Sequence, residues 1–566
     1  MKHICKILFC MMTMLTSVLY MQAQEAPTAG WMNKIQKSIV SLNSYDKDMN
    51  LLHSGTAFYI SSDGVAVADY NLLRDAYSAV VVDQSGDKSE VVRILGADDI
   101  YGLVKFKTNA RKATPLKLSS SFSNIGTKFF VLPFSKNKMA TCPAASVVSI
   151  DTVDNTIPYY SLDYPLEEKY IGCPAFNQSG ELVATLQLPL NGKGHALGIH
   201  KAEALSIQAL STKVNNYALN NIHIKKGLPD SMEESLVYLY FKSRSADNDE
   251  YLDLLNLFIE AYPNNAEGYY RRATPYIDIQ KFDEADKDLQ TFYKLSTDKA
   301  YANSRIAEII YTKLLYQPTP EYSKWNYDLA IDYVDKAIAA NNSLDNRLLK
   351  TKILVAMKNY DGALEIFDAI NNSEERSPAT YYAASMASER RGDTVNVQIA
   401  MMDSAIAMFS TPLPTEAASY VMRRAQLYEK AGRYREAVLD YNQYCYLNNN
   451  KVNARFHYDR ALIEQKAKMY QQALDDLDAA ISLAPKEALF HVEKSAVFIR
   501  IGQTDDCISE AKKALELNPN LPDAYRIMGY AQIEKGEKAL GKQNLQKAID
   551  LGDEAAQELM NQYSDK

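Results

Sequence analysis

Cysteine and histidine are the residue types in this chain that could carry nucleophilic or metal chemistry. The 566 residues include six cysteines and seven histidines. Four of the cysteines lie beyond the first two dozen residues, and their spacing matches neither a zinc site nor a disulfide framework. The pattern is compatible with a disulfide bond between Cys142 and Cys173, and equally with unbridged thiols. The four positions are Cys142, Cys173, Cys445 and Cys507.

Acidic runs, such as residues 283–288 and 475–478, are clusters of carboxylates that a cation could use. Both lie within stretches of helical periodicity, where such charges usually form one solvated face of a helix. We therefore interpret them as exposed helix faces. The sequence predicts no metal site and no cofactor.

The overall charge argues against one class of partner. The formal net charge is -8, and 23% of the residues are charged against 47% hydrophobic. Nucleic-acid binding needs a basic footprint, and no stretch of the chain supplies one. The length is too great for a single core, so at least two folded domains are expected.

The first 23 residues have the pattern of an export signal. Lys2 and Lys6 precede an apolar run over residues 7–20, and Ala23 ends a small-residue cleavage site. The run is short for a membrane span, although an uncleaved anchor is the alternative. We expect cleavage after Ala23, no membrane span in the mature chain, and a periplasmic or secreted protein.

Residues 30–215 have the short, alternating or β-branched segments that are typical of strands. Ten or more such segments follow one another at close spacing, broken by Gly, Asp and Asn, and a helical stretch is expected over residues 201–212. This pattern predicts an all-β domain built from a pair of barrels.

The order of several short motifs in this domain resembles the trypsin-like fold, in particular bacterial serine proteases of the HtrA type. No single motif is specific, but nearly the whole domain follows the family's order. The motifs are residues 54–64 (SGTAFYISSDG), 95–98 (LGAD), 103–107 (LVKFK), 115–118 (PLKL), Gly172 with Pro174, 180–183 (GELV) and 194–199 (GHALGI).

The catalytic residues that this resemblance would imply are missing. Such a protease needs a base, a carboxylate that orients the base, a nucleophile, and backbone donors for the oxyanion. The family's His falls on Asn71, its Asp on Gly102 and its Ser on Ile171. Lys169 replaces the glycine that opens the oxyanion turn. The resemblance therefore implies a pseudoprotease with no catalytic residue.

An alternative nucleophile is Cys173, as in chymotrypsin-like cysteine proteases. It would need a shift of two positions and a neighbouring histidine as base. His53, His195 and His200 lie in the domain, but none falls where the family's base would be. The competing interpretation is a buried structural thiol.

From about residue 231 onward the periodicity is helical, and near the end it repeats every 34 residues. Small residues recur at three positions of the repeat, which indicates helices in close contact. The three sets are Ala473, Cys507 and Gly541; Ala480, Ala514 and Ala548; and Ala461, Ser495 and Gly529. Residues 216–230, rich in Asn with a Gly-Leu-Pro step, indicate a linker before this region.

These hairpins resemble tetratricopeptide repeats, most specifically after about residue 415. The resemblance implies an all-α superhelix over residues 231–566, closed by a capping helix, whose concave groove binds a protein or peptide. In this register Glu464 is exposed. No hairpin pairs Lys with Asn at the positions that would clamp a terminal carboxylate. The implied groove residues are Tyr270, Tyr382, Met386, Met422, Gln426, Tyr458, Leu462, Arg526 and Tyr530.

Three functional hypotheses follow from these two regions. The first is an exported, non-enzymatic scaffold for protein interactions, which joins a pseudoprotease domain to a repeat array. The second is an exported peptidase that uses Cys173 and recruits substrate through the repeats. The third is a structural subunit of an envelope complex in which neither region binds a free peptide.

Overall fold

A computed structural model describes residues 30–136, 143–163, 167–190, 193–209 and 213–564. The predicted signal peptide and Cys142 lie outside these residues. The chain forms two compact units, one that ends at Leu295 and one that begins at Ser296. Within the described residues, no helix combines the length and apolar character needed to cross a membrane.

The first unit begins with a closed antiparallel barrel of six strands. Along the barrel wall the strands follow the order β1-β2-β3-β6-β5-β4. Its interior is filled by apolar side chains such as Leu42, Ala57, Ile94, Val104 and Phe106. The strands are β1 (Ile39–Tyr45), β2 (Leu51–Tyr59), β3 (Val65–Asp69), β4 (Ser78–Val82), β5 (Lys88–Asp98) and β6 (Leu103–Thr108).

A second closed barrel of six antiparallel strands follows, in the order β10-β11-β12-β9-β8-β7. An apolar cluster that includes Phe58 and Val67 of the first barrel and Phe176 and Leu197 of the second joins the two. The predicted double barrel is therefore confirmed. The strands are β7 (Lys128–Val131), β8 (Ala144–Val153), β9 (Ile157–Leu162), β10 (Pro174–Phe176), β11 (Leu182–Leu190) and β12 (Lys193–Gly198).

Short helices flank the barrels: α1 (Met32–Ile35), α2 (His200–Ala204) and α3 (Lys213–Asn220). The helix expected over residues 201–212 is shorter than predicted. After Ala204 the chain leaves the helix, and Ile207 is buried in the core of the first barrel. Burial of this apolar side chain outweighs the local helical preference.

The predicted linker, residues 216–230, packs closely on the first barrel. Ile222 and Ile224 are buried in that barrel's core. Ile94 of β5 donates its N–H to the Lys225 carbonyl at 2.8 Å and accepts the Gly227 N–H at 2.8 Å. The segment therefore forms a short parallel bridge beside β5, and the first unit continues into the helices beyond it.

The helices of the repeat region begin in the first unit and continue through the second. Those of the first unit are α4 (Met232–Lys242), α5 (Asn248–Ala261), α6 (Ala266–Asp278) and α7 (Phe282–Leu295). Those of the second are α8 (Lys299–Tyr316), α9 (Tyr327–Ala340), α10 (Leu344–Ala356), α11 (Tyr360–Asn371), α12 (Pro378–Arg391), α13 (Val395–Ala407), α14 (Ala418–Lys430), α15 (Tyr434–Leu447), α16 (Ala454–Lys466), α17 (Tyr470–Leu483), α18 (Ala488–Arg500), α19 (Thr504–Leu517), α20 (Pro522–Glu534), α21 (Lys538–Asp550) and α22 (Glu554–Ser564).

The small residues of the 34-residue repeat lie where two helices touch. Ala461, Ala473 and Cys507 are fully buried. At the equivalent contact between α20 and α21, a Cβ on Gly541 would lie 2.6 Å from the carbonyl oxygen of Gly529. Real Cβ atoms do not approach an oxygen so closely, so this pair of positions needs glycine. The predicted helical repeat array is confirmed.

We expect Ala473→Leu to lower the free energy of unfolding of the array by about 1 to 3 kcal/mol, because added methylenes would force these helices apart. Ala473 has no exposed surface and packs in a cluster with Tyr458 and Leu477. The matched control is Gln472→Leu, which places the same side chain on the exposed face of the same helix. Urea unfolding checks both variants, and equal losses would show that the repeat register is wrong.

Candidate functional site

The three segments that would carry a catalytic triad meet in the structure. The Tyr70 N–H donates to the Gly102 carbonyl at 3.1 Å, which holds the Asn71 segment against the Gly102 segment. A Cβ on Gly172 would lie 2.8 Å from the Cβ of Asp69, so the third segment reaches the same point. The barrels thus bring together Asn71, Gly102 and the Ile171–Gly172 step, none of which has a side chain that titrates near neutral pH.

Asp69, which the sequence analysis did not single out, occupies the centre of this cluster. Its carboxylate is buried and accepts the Asn71 N–H at 2.9 Å. Desolvation raises the pKa of Asp69, an effect that the hydrogen bond from Asn71 and the nearby His53 oppose. The signal available in the sequence was one acidic residue at the end of an otherwise apolar strand, β3.

The Asp69 carboxylate lies in tight contact with the position where a triad carboxylate would begin. A Cβ on Gly102 would lie 3.1 Å from its Oδ2 atom. Gly102 also has a φ of +58°, a conformation that L side chains adopt rarely. An aspartate at this position would meet both steric contact and the negative charge of Asp69.

The turn that would form an oxyanion hole has its backbone donors paired with carbonyl groups of the protein. Residues Glu168–Tyr170 form one turn of 3₁₀ helix, and the Ile171 N–H donates to the Glu168 carbonyl at 3.0 Å. The Gly172 N–H donates to Leu186 at 2.9 Å, and the Cys173 N–H to Tyr170 at 3.0 Å. These three donors are therefore already paired, whereas an oxyanion hole requires free N–H groups aimed at the reacting oxygen.

Cys173 is a buried thiol within the core of the second barrel. It has no exposed surface, and burial raises its pKa to about 12. Among the described residues, none of the three candidate histidines hydrogen-bonds to it. His195 instead stacks on Tyr159 with ring centroids 5.4 Å apart, and His200 packs edge-on against Phe122 at 5.1 Å.

Several of the predicted groove side chains make contacts within the array itself. Tyr458, predicted to line the groove, is buried against Phe490 with centroids 5.3 Å apart, so it is not available to a ligand. Gln426 is exposed, and Met386, Met422 and Leu462 are partly buried. The others contact neighbours: Tyr270 packs on Phe292 at 5.1 Å, Tyr382 on Tyr420 at 5.8 Å, Tyr530 on Tyr563 at 6.3 Å, and Arg526 pairs with Asp523 and, at 2.7 Å, with Asp553.

A recurring buried ion pair links the two helices of three hairpins, and it corrects one prediction. Each pair joins an Arg that precedes the small residue of the first helix to an Asp 16 positions later on the second. Asp288 and Asp476 belong to the acidic runs that were predicted to be exposed, yet both are buried. The three pairs are Arg272–Asp288 at 2.8 Å, Arg424–Asp440 at 2.8 Å and Arg460–Asp476 at 2.5 Å.

The prediction that Glu464 is exposed is also wrong. Its side chain is 3% exposed, and none of the described residues hydrogen-bonds to its Oε2 atom. Burial and the neighbouring Asp476 carboxylate raise the pKa of Glu464 to about 8, although Arg460 lies 3.9 Å away. The repeat pattern correctly placed Glu464 on α16, the first helix of its hairpin, but it could not show that neighbouring residues cover this side chain.

This buried carboxyl makes the stability of the array depend on pH. The unfolded chain ionises Glu464 near its usual pKa of about 4.3. Because its pKa is raised, the folded chain is expected to keep this proton to a higher pH than the unfolded chain does. This contribution to stability is therefore full at acidic pH and lost as the pH rises towards 8.

Glutamine stays neutral, so the Glu464→Gln variant lacks this pH-dependent loss. We therefore expect the difference in unfolding temperature, variant minus unmodified protein, to increase between pH 5 and pH 8.5. Exposed Glu516→Gln, the control, should show a constant difference. Thermal melts across this range check both variants. A constant difference for Glu464→Gln would contradict the assignment.

Comparison with known proteins supports the prediction of tetratricopeptide repeats in the helical region. Residues 418–451, which contain α14 and α15, match the tetratricopeptide repeat family model. The chain is 21% identical over 300 residues to DnaJ protein P58IPK homolog B of Oryza sativa subsp. japonica, covering 50% of this chain and 56% of that protein. It is 35% identical over 92 residues to Hsc70-interacting protein 1 of Drosophila melanogaster, covering 15% and 24%. A further relative is the Hsp70-Hsp90 organizing protein of Triticum aestivum, 23% identical over 229 residues, covering 39% and 37%.

These matches concern only part of each protein. The chain spans about half the length or less of these relatives. Among solved structures, the serine endoprotease from Yersinia pestis is similar at 19% sequence identity, with a TM-score of 0.27, over 32% of this chain and 65% of that one. The double barrel itself rests on the two closed six-stranded sheets described above.

Proposed function

We propose that this chain is an exported, non-enzymatic scaffold that binds protein partners through its repeat array. The observation that carries the proposal is the helical array, part of which matches the tetratricopeptide repeat family model. The names of two relatives refer to interaction with Hsc70 and to organisation of Hsp70 and Hsp90. They support a protein ligand for this array without identifying one.

The barrels support the same proposal because their triad positions lack the chemistry of a protease. Asn71 cannot act as a base near neutral pH, and Ile171 has no group to donate. The paired N–H groups of the Ile171 turn would have to be released before they could stabilise an oxyanion. The buried Cys173, with its raised pKa, has little of the thiolate that a cysteine peptidase requires.

Site-specific photocrosslinking in the native host tests the binding function. A crosslinking amino acid at Gln426, an exposed groove position, should trap a protein partner that one at Leu439 does not. Leu439 is 65% exposed and lies on α15, the second helix of the same hairpin. Equal adducts at the two positions, or none at either, would contradict the proposed groove.

Intact-mass measurement tests the proposed export and cleavage of the signal peptide. The intact mass of the protein isolated from its host should correspond to a chain that begins at Gln24 and is recovered outside the cytoplasm. A mass that includes residues 1–23 would contradict cleavage of the signal.

A further inference from the structure

A cavity of about 510 Å³ lies in the first unit, where the docked segment after α3 meets α4 and α5. Its wall combines apolar side chains such as Ile224 and Leu254 with Lys226, Tyr238 and Glu250. Its volume falls within the range of small-molecule sites, which typically combine an apolar wall with a few polar groups.

Most charged groups around this cavity are paired. Lys242 contacts Glu250 at 2.7 Å, and Lys225 contacts Asp253 at 3.2 Å. Arg93 also binds Asp253 through two hydrogen bonds of 2.6 and 2.9 Å, which fixes α5 against the first barrel. These cations already have carboxylate partners.

Lys226 differs from them. Its ammonium group donates to the backbone carbonyls of Ile222 and, at 2.7 Å, of Ile224. Within the described residues it contacts no carboxylate. Burial, reinforced by the charge of Lys242 and only partly opposed by that of Glu250, lowers the pKa of Lys226 to about 8. A partly buried ammonium group with no carboxylate in contact gains stability when an anion binds beside it.

Tyr238, which lines the same cavity, offers a second donor. Its ring packs beside the apolar core of the first barrel, and Lys242 Nζ lies 5.8 Å from the ring centroid. In the described part of the chain its hydroxyl makes no hydrogen bond. Burial raises the pKa of Tyr238, so the hydroxyl keeps its proton and can donate it to an acceptor.

We propose that this cavity binds the carboxylate of a small ligand, such as the C-terminus of a short peptide, between Lys226 and Tyr238. A carboxylate accepts hydrogen bonds from both donors and supplies the charge that Lys226 lacks. Besides Lys225 and Lys242, four acidic residues line the cavity, so a singly charged carboxylate is favoured over a doubly charged phosphate. They are Asp247, Asp249, Glu250 and Asp253. None of the residues that line this cavity is a predicted groove residue, and the proposal does not depend on the function proposed for the groove.

Calorimetric titration of the full chain with acetyl-Gly-Ala-Ala tests the site. The free acid should bind at least tenfold more tightly than the same peptide with a C-terminal amide. Lys226→Met should weaken binding of the acid at least tenfold, and Tyr238→Phe severalfold. Lys112→Met, which removes an exposed lysine beside a different cavity, should leave the affinity unchanged.

A labelling measurement on the unmodified protein keeps the test valid if a variant fails to fold. Acetylation of Lys226 by limiting reagent, read by peptide mass spectrometry, should slow severalfold when the free acid is present and not when the amide is present. The proposal is overturned if the acid and the amide bind alike or if neither peptide binds at a concentration of about 10 mM. It is also overturned if Lys226→Met binds the free acid as tightly as the unmodified protein does. Tighter binding of inorganic phosphate than of the acid would overturn the assignment to a carboxylate.

Discussion

Replacing Asp440 by alanine is expected to destabilise the repeat array by about 3 to 5 kcal/mol, the usual result of removing one partner from a buried ion pair. Asp440 is 6% exposed and accepts two hydrogen bonds from Arg424, both of 2.8 Å. These hydrogen bonds raise the pKa of Arg424. Without Asp440 the guanidinium would remain mostly buried, and among the described residues its remaining carboxylate partner would be the half-exposed Asp403, at 2.7 Å. Urea unfolding of the full chain measures the loss.

The control for this loss is Glu436→Ala on the same helix. Glu436 pairs with Arg433 at 3.0 Å, but both side chains are 43% exposed, and such pairs contribute about 0 to 1 kcal/mol. The joint replacement Arg424→Met and Asp440→Leu should recover most of the stability, because the only carboxylate that it leaves without its arginine, in the part of the chain that the structure describes, is Asp403, whose side chain is 50% exposed and stays hydrated. Similar losses for Asp440→Ala and Glu436→Ala would show that the recurring ion pair does not stabilise the array.

The second large effect concerns restoration of a serine protease site. A variant that combines Asn71→His, Gly102→Asp, Ile171→Ser and Lys169→Gly is expected to remain unlabelled by a serine-directed phosphonate. The residues of a triad would be present, but the Asp69 carboxylate occupies the space beside position 102. The residue 171 N–H would still have the Glu168 carbonyl as its acceptor, and losing one oxyanion donor costs on the order of a hundredfold in rate.

Adding Asp69→Ala to these four changes should allow weak labelling of the introduced serine. The fifth change removes both the steric obstacle and the repelling charge, whereas adding Asp75→Ala, which changes an exposed carboxylate nearby, should have no effect. Mass spectrometry of the labelled peptide identifies the modified residue. If the four-fold variant labelled as well as the five-fold variant, Asp69 would not be the obstacle that the structure indicates.

The sequence was most informative where one simple contact repeats. Ala461, Ala473 and Cys507 could be placed correctly because two helices in close contact exclude larger side chains in every copy. The strands of the barrels could also be predicted, because alternating apolar residues and turn residues mark them locally. Both features depend on neighbours close in sequence.

Features that depend on distant segments could not be predicted in the same way. Asp69 matters because Gly102 and Gly172 approach it, and neither contact leaves a local pattern. Glu464 was expected to be exposed because it is charged, yet the packing around Arg460 buries it. Residues 216–230 have the composition of a linker, but Ile222 and Ile224 dock in the first barrel.

The most direct test of the proposed scaffold is a proteolysis assay on the unmodified full chain, with casein as substrate and a serine-directed phosphonate as probe. With Asn71, Gly102 and Ile171 at the triad positions and Cys173 fully buried, we expect neither cleavage of casein nor covalent labelling. Robust cleavage that is abolished by Cys173→Ala would contradict this expectation and identify the chain as a cysteine peptidase.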